Sequence, residues 1–194
     1  MTPDATNPTP KSGRPRKYAF GPLPDFKNAE AAQLAATVDE MTERVYDLIA
    51  DLPPAALDYL PEGGNNTIAM LVLHMVAAEA FWIVRVSQKP LPDELKAHVA
   101  GGMQDASGQM PRLQKTAAEL LAAARAIRHN WSLPFLREQT DIDRPVADGD
   151  RTITVRGALT HLVWHWTYHG GQVGLMRRLA GARYQWTFDK KIGG

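Results

Sequence analysis

The amino-acid sequence predicts an all-α fold, a four-helix bundle with an extended or disordered N-terminal arm. Four long segments repeat apolar residues at three- and four-residue spacing, the period of one helix face. Proline, glycine or capping residues bound these segments, and neither an internal repeat nor a convincing sheet pattern accompanies them. In such a bundle, functional side chains project inward from facing helices.

The first predicted elements are an arm and a helix. Residues 1–26 form a proline-rich arm, which we expect to be extended or disordered. From Asn28 the helical period begins, and Pro53 and Pro54 stop it after Leu52. We therefore predict a first helix over residues 28–52.

The second predicted helix is the most apolar segment of the chain. A linker over residues 53–66 ends in Asn65 or Asn66, either of which suits a helix N-cap, and the helix then runs over residues 67–86. We expect it to be heavily buried. Residues 87–110 are mixed, with one short helix over residues 93–99 and no expected chemistry.

The third and fourth predicted helices lie in the second half of the chain. The third begins at Pro111 and ends at Asn130, whereas the fourth spans residues 155–179 and stops at Gly181. Between them, Asp148-Gly149 permits a small hairpin without requiring one. The domain boundaries that follow are an arm at 1–26, a helical domain at 27–182 and a C-terminal tail at 183–194.

Composition limits the possible functions. The chain has 194 residues, 44% of them hydrophobic and 22% charged, which indicates one globular domain. It has no cysteine, so disulfides, thiolate ligands and a cysteine nucleophile are excluded, and a metal ion needs His, Asp or Glu. The net charge is +1 and no basic stripe follows the helices, so we expect no nucleic-acid partner.

The sequence also limits the expected location of the protein. Its first 20 residues lack the apolar core of a signal peptide. No later stretch approaches about 18 continuous apolar residues, the length that a membrane span needs. We therefore expect a cytoplasmic protein with no membrane contact.

Three histidines stand four residues apart on the fourth helix. On a helical wheel, His165 and His169 fall within the apolar sector, whereas His161 lies at its edge. Side chains four residues apart can share a metal ion, but residues eight apart are separated by about 12 Å along the axis. We therefore choose His165 and His169 as metal ligands and leave His161 as a neighbour of the site.

A third ligand has to come from another helix. His74 lies on an inward face of the second helix, whereas Glu79 is turned about 140° from it and is expected to be structural. His98 and His129 lie in or beside loops and are expected at the surface. A single inward histidine is more often a core residue bonded to a carbonyl, but an inward pair with a third inward histidine favours a metal site.

Two motifs resemble those of a known family. "HMVAAEAFW", residues 74–82, and "HWTYHGGQVGLMRRL", residues 165–179, are similar to motifs of the DinB-like, or damage-inducible, metal-binding four-helix bundles, which are related to the mycothiol- and bacillithiol-dependent enzymes. The resemblance covers roughly residues 28–180, with Gly170 standing where members often carry arginine. It implies metal ligands at His74, His165 and His169, a divalent zinc- or nickel-like ion, and often a dimer.

The resemblance implies thiol-dependent transfer, isomerisation or metal-dependent hydrolysis as possible activities. Three neutral imidazoles leave coordination positions open, where a water becomes more acidic and a thiol ionises. We therefore expect a metal-dependent enzyme, either a thiol-dependent S-transferase or a hydrolase of small substrates. Because the chain has no cysteine, a thiol has to be an external low-molecular-weight one. The alternative is a non-catalytic metal-binding bundle or a stress-related interaction protein.

Several other residues are candidates around the site, although no catalytic residue is assigned. Gln172 lies one turn beyond His169 and either hydrogen-bonds a ligand or packs between helices. Arg85 either holds an anionic substrate group or balances the dipole at its helix end. Tyr168 is a possible proton donor or an interface residue. Trp164 lies off the apolar face, which with the resemblance predicts a homodimer.

Overall fold

The computed structural model describes residues 10–16, 20–104 and 110–188. The chain is mostly helical, which confirms the all-α class. In chain order the elements are β1 Lys11–Arg16, α1 Ala29–Ile49, α2 Pro54–Leu57, α3 Ile68–Ser87, α4 Asp93–Val99, α5 Ala117–Ile127, a π-helical turn Arg128–Ser132, α6 Leu133–Arg137, β2 Val146–Asp148, β3 Arg151–Ile153, α7 Val155–Leu179 and β4 Tyr184–Phe188.

The first two long helices begin at side-chain caps. The Asn28 side chain accepts hydrogen bonds from the first backbone amides of α1. For α3, the prediction of Asn65 or Asn66 as N-cap was wrong. Thr67 takes this position because its hydroxyl accepts the amide hydrogen of Met70 at 3.2 Å.

The third predicted helix differs most from its expected bounds. It begins at Ala117 and not at Pro111, because Thr116 and Glu119 form a reciprocal capping box. It also continues beyond Asn130 through the π-helical turn into α6. Arg128 lies four residues after Ala124 on the buried face of α5, so its side chain enters the core where the π-helical turn begins.

The long helices enclose one apolar core. α7 packs between α1 and α3, α3 also packs against α5, and α1 also packs against α6. At the centre, the buried Trp166 ring meets the Tyr46 ring edge to face, with centroids 6.0 Å apart. The two neighbours of α7 therefore cover different flanks of that helix.

Two small sheets accompany the helices, contrary to the expectation of no convincing sheet. β2 and β3 form an antiparallel hairpin, and β1 pairs in parallel with β4. The first of these is the hairpin that Asp148-Gly149 permits, since Gly149 has a φ of 65°. Part of the arm is thus extended and held by the tail, whereas residues 1–9, 17–19 and 189–194 lie outside the described ranges.

α3 is long and apolar enough to cross a membrane by length and composition. Polar side chains interrupt its apolar sequence. The expectation from the sequence required a continuous apolar stretch and therefore did not identify this helix. Within the protein, 72% of its most apolar 18-residue window is buried. This burial is typical of the central helix of a core.

Candidate metal centre

Three histidines from two helices meet at one end of the α3–α7 contact. One ring nitrogen each from His74, His165 and His169 lies within 4.8 Å of the other two. The His74 ring centroid lies 4.9 Å from that of His165 and 5.3 Å from that of His169. His165 is buried, whereas the other two are half-buried, so the cluster is partly open to solvent.

A backbone carbonyl determines the tautomer of His74. Its Nδ1 lies 3.1 Å from the carbonyl oxygen of Gly102, which can only accept a hydrogen bond. Nδ1 of His74 therefore carries the proton, and the lone pair of a neutral ring is on Nε2. That Nε2 faces Nε2 of His165 at 3.2 Å.

The contact from Gly102 depends on the absence of a side chain there. A Cβ atom at this position would lie 2.6 Å from Cβ of Ala77 and 2.6 Å from the carbonyl oxygen of Leu73. Only glycine lets the loop approach α3 closely enough for its carbonyl to reach His74. No chemistry was expected in residues 87–110, so this contact was not predicted; the Gly101-Gly102 pair is the signal of a close approach that the sequence contains.

Gln172 has the corresponding role for His169. Its side-chain oxygen, Oε1, lies 2.6 Å from Nδ1 of His169, one helical turn away. The amide oxygen accepts this hydrogen bond, so Nε2 of His169 keeps its lone pair. By contrast, Nδ1 of His165 is buried without a partner among the described residues.

The nitrogen positions fit a metal ion. Two imidazole nitrogens bound at 2.0–2.1 Å to one tetrahedral ion lie about 3.3–3.4 Å apart. The His74 and His165 nitrogens, at 3.2 Å, already have nearly this separation. Hydrogen bonds fix the orientation of two of the rings, as is usual for histidine ligands. The three-histidine cluster could therefore hold a divalent ion.

Burial favours the neutral form of the His165 and His169 rings, which is the form that binds metal ions. It lowers the pKa of His165 to about 3, with smaller contributions from the neighbouring His169, His74 and His161. Burial also lowers the pKa of His161, and it lowers the pKa of His169 although the hydrogen bond that His169 donates to Gln172 acts in the opposite direction. Protons therefore compete weakly for His165 and His169 at neutral pH.

His161 and two aromatic residues lie beside the cluster. The His161 ring stacks on that of His165 at 5.4 Å and contacts Trp82 at 4.9 Å, but His161 is outside the group of convergent nitrogens. Trp164 and Tyr168 are exposed and stack on each other at 5.2 Å. Tyr168 also touches the edge of His169.

The remaining candidates lie outside the cluster. Arg85 makes an ion pair with the buried Asp148 of the β2–β3 hairpin and lies over the Phe81 ring. Glu79 is buried in an ion pair with Arg128. His129 is exposed, as expected. His98 is half-buried on α4. Neither His98 nor His129 belongs to the cluster.

A comparison with known families agrees with this geometry. The model of the DinB family matches residues 26–190, which is most of the chain. The chain belongs to the DinB family. This confirms the resemblance inferred from the two histidine motifs, and the DinB match also includes β4, which that resemblance left out.

A relative of the DinB chain is the uncharacterized protein YkkA of Bacillus subtilis (strain 168). The two are 23% identical over 149 residues, which cover 75% of this chain and 85% of YkkA. The similarity thus covers most of YkkA and three quarters of the DinB chain.

Proposed function

We propose that this chain binds one zinc or nickel ion through Nε2 of His74, His165 and His169 and acts as a metal-dependent enzyme on a small molecule. The observation that supports this most directly is the convergence of the three rings, two of which have their Nδ1 atoms engaged elsewhere. A divalent ion held there supplies Lewis acidity toward a water, a thiol or a carbonyl group.

An enzyme is favoured over a structural metal site by the composition of the cluster. No carboxylate joins the three histidines within the described ranges, whereas a structural zinc site usually has four protein ligands. We infer that a substrate or an external low-molecular-weight thiol enters from the half-exposed side. Thiol-dependent transfer and hydrolysis are the two reactions that this arrangement suits.

The other parts of the proposal concern fold, partner and location. We propose that α1, α3, α7 and the α5–α6 unit are the four helices of a bundle, and that the protein acts in the cytoplasm as a homodimer. Support for the dimer comes from the outer face of α7, where Trp164, Tyr168 and Leu179 are each more than half exposed. Sedimentation at micromolar protein concentration tests the dimer, and a monomer in that experiment would contradict it.

Metal analysis of the untagged protein tests the proposed site. We expect about one zinc or nickel ion per chain, retained on gel filtration. Less than about a tenth of an equivalent, with no uptake of added zinc or nickel, would exclude the site.

A substitution then separates an enzyme from a structural site. His165→Ala should lose the metal and still unfold cooperatively if the ion serves catalysis. Loss of the fold together with the metal would instead indicate a structural ion. Assays of thiol transfer and of ester or amide hydrolysis, with the His165→Ala protein as the blank, identify the reaction.

A further inference from the structure

A groove of about 630 Å³ lies between α1, the C-terminal half of α7 and the β4 region. The α7 residues that line it include Thr167, Gly170 and Gly174. These positions lie on the helix face roughly opposite to that of His165. The groove is therefore separate from the histidine cluster. Its volume is in the range of small-molecule sites.

Three glycines of α7 line this groove. A Cβ atom at Gly170 would lie 3.0 Å from Val45, so contact with α1 explains that glycine. Gly171 has nothing within 4 Å of such an atom, and the nearest neighbour at Gly174 is Leu48 at 3.8 Å. Glycine within a helix lowers its stability, and no packing contact described here requires it at these two positions. They leave the helix backbone open to close approach by a bound molecule.

The charged residues around the groove are all cationic. Arg44 of α1, Arg178 of α7 and Arg183 before β4 line it, and no described lining residue is acidic. Arg44 pairs with Glu40, but neither Arg178 nor Arg183 has a carboxylate partner among the residues that the structure describes. Two guanidinium groups from different elements are therefore free to bind an anion.

We propose that this groove binds a small amphipathic carboxylate, whose apolar body has roughly ten carbon atoms. The carboxylate lies between Arg178 and Arg183, and the apolar body lies along Gly171 and Gly174 beside Leu175. This site is independent of the metal centre. Binding should therefore be unchanged in the His165→Ala protein.

Calorimetric titration of the full chain with decanoate tests the proposal. We expect saturable binding of one decanoate per chain, with decanol much weaker because it lacks the charge and acetate undetectable because it lacks the apolar body. Absence of saturable binding at millimolar decanoate would overturn the proposal. Equal binding of decanoate and decanol would also overturn it. So would a protein that binds phosphatidylglycerol vesicles but does not bind free decanoate.

Variants locate the site. Exchanging both Arg178 and Arg183 for Gln should weaken decanoate binding about tenfold and leave decanol unaffected. Arg125→Gln, on the distant α5, is the matched control and should bind as the parent protein does. Equal weakening in the double variant and the control would contradict the proposed position of the carboxylate.

Filling the groove tests where the apolar body lies. Gly174→Leu should abolish decanoate binding. Gly171→Ala, which meets no neighbour, should weaken it and raise the melting temperature, which keeps the test valid if the larger substitution does not fold. Unchanged binding by folded Gly171→Ala and Gly174→Leu proteins would place the ligand elsewhere. If Gly174→Leu dissociated a dimer and the parent protein bound no decanoate, the groove would be the contact of a second copy.

Discussion

Two buried polar clusters each include a residue of α3, Glu79 in one and His74 in the other. They differ in whether the members of the cluster complete each other's hydrogen bonds. Glu79 receives hydrogen bonds on both carboxylate oxygens, from Nε and Nη2 of Arg128, each at 2.6 Å. The histidine cluster has no counter-charge, and Nδ1 of His165 has no partner among the described residues. The first cluster is thus an ion pair in which both carboxylate oxygens have partners, whereas the second consists of three converging imidazoles.

This difference separates a cluster that stabilises the fold from one that could hold a metal ion. A paired and fully bonded buried charge requires no further atom, and breaking it exposes a charge to an apolar interior. Converging imidazole lone pairs can bind a hydrogen-bond donor, a proton or a metal ion. Replacing Glu79 should therefore change stability without changing metal binding, whereas replacing the histidines should change metal binding most.

The largest effect should follow from breaking the ion pair. Glu79→Ala leaves Arg128 buried without its partner, so the free energy of unfolding of the metal-free protein should fall by about 3–5 kcal/mol in urea titrations. Exposed Glu62→Ala is the control and should change it by less than about 0.5 kcal/mol. A folded Glu79→Ala protein that had lost its metal would contradict the separation of the two clusters.

The next effect concerns metal-dependent stability. With zinc at about 100 times its Kd, the parent protein should gain about 2.7 kcal/mol of stability, because the ion binds only the folded state. His165→Ala should gain almost none, since the cluster loses its central ligand. Thermal melts with zinc and with a chelator measure both, and an equal gain in the two proteins would place the ion elsewhere.

A smaller effect should arise from the loop that orients His74. Gly102→Ala introduces a Cβ atom that clashes with α3, so the loop shifts and its carbonyl leaves His74. We expect metal affinity to fall about 10- to 100-fold in competition with a chromophoric chelator. Gly21→Ala meets no neighbour and should bind metal as the parent does. An unchanged affinity for Gly102→Ala would show that this hydrogen bond does not orient the ring.

The smallest effect is a pH dependence of the metal-free protein. The pKa of His165 is about 3 in the folded state and about 6.5 in an unfolded chain, so below pH 6.5 the unfolded state binds a proton that the folded state does not. Stability is present above that pH and is lost as the pH falls. His165 alone should lower it by about 1.4 kcal/mol between pH 7.5 and 5.5. Urea titrations of His165→Ala should lack this share, and identical pH profiles would refute it.

The sequence predicted the helices whose local signals were unambiguous. The bounds of α7 match residue for residue, and α1 and α3 begin within a residue of their predicted starts. Periodicity also placed His165 and His169 on an inward face, since a helical wheel requires only the sequence. The predicted start of α5 at Pro111 was wrong, because Thr116 and Glu119 form a capping box that starts the helix later.

The features that were missed depend on contacts between distant parts of the chain. The parallel pairing of β1 with β4 joins segments more than 160 residues apart, and no local pattern signals it. The contact between Gly102 and His74 crosses from a loop to a helix. The ion pair between Glu79 and Arg128 was also missed, because it joins two helices at positions 49 residues apart in the sequence.

The tautomers and ligand atoms of the histidines test the central claim most directly. Long-range ¹H–¹⁵N NMR spectra of the metal-free protein should show Nδ1–H tautomers for His74 and His169. One equivalent of zinc should then shift the Nε2 resonances of His74, His165 and His169 and leave those of His98 and His129 unchanged. A response from Nδ1, or from fewer than three of these imidazoles, would contradict the three-histidine metal centre.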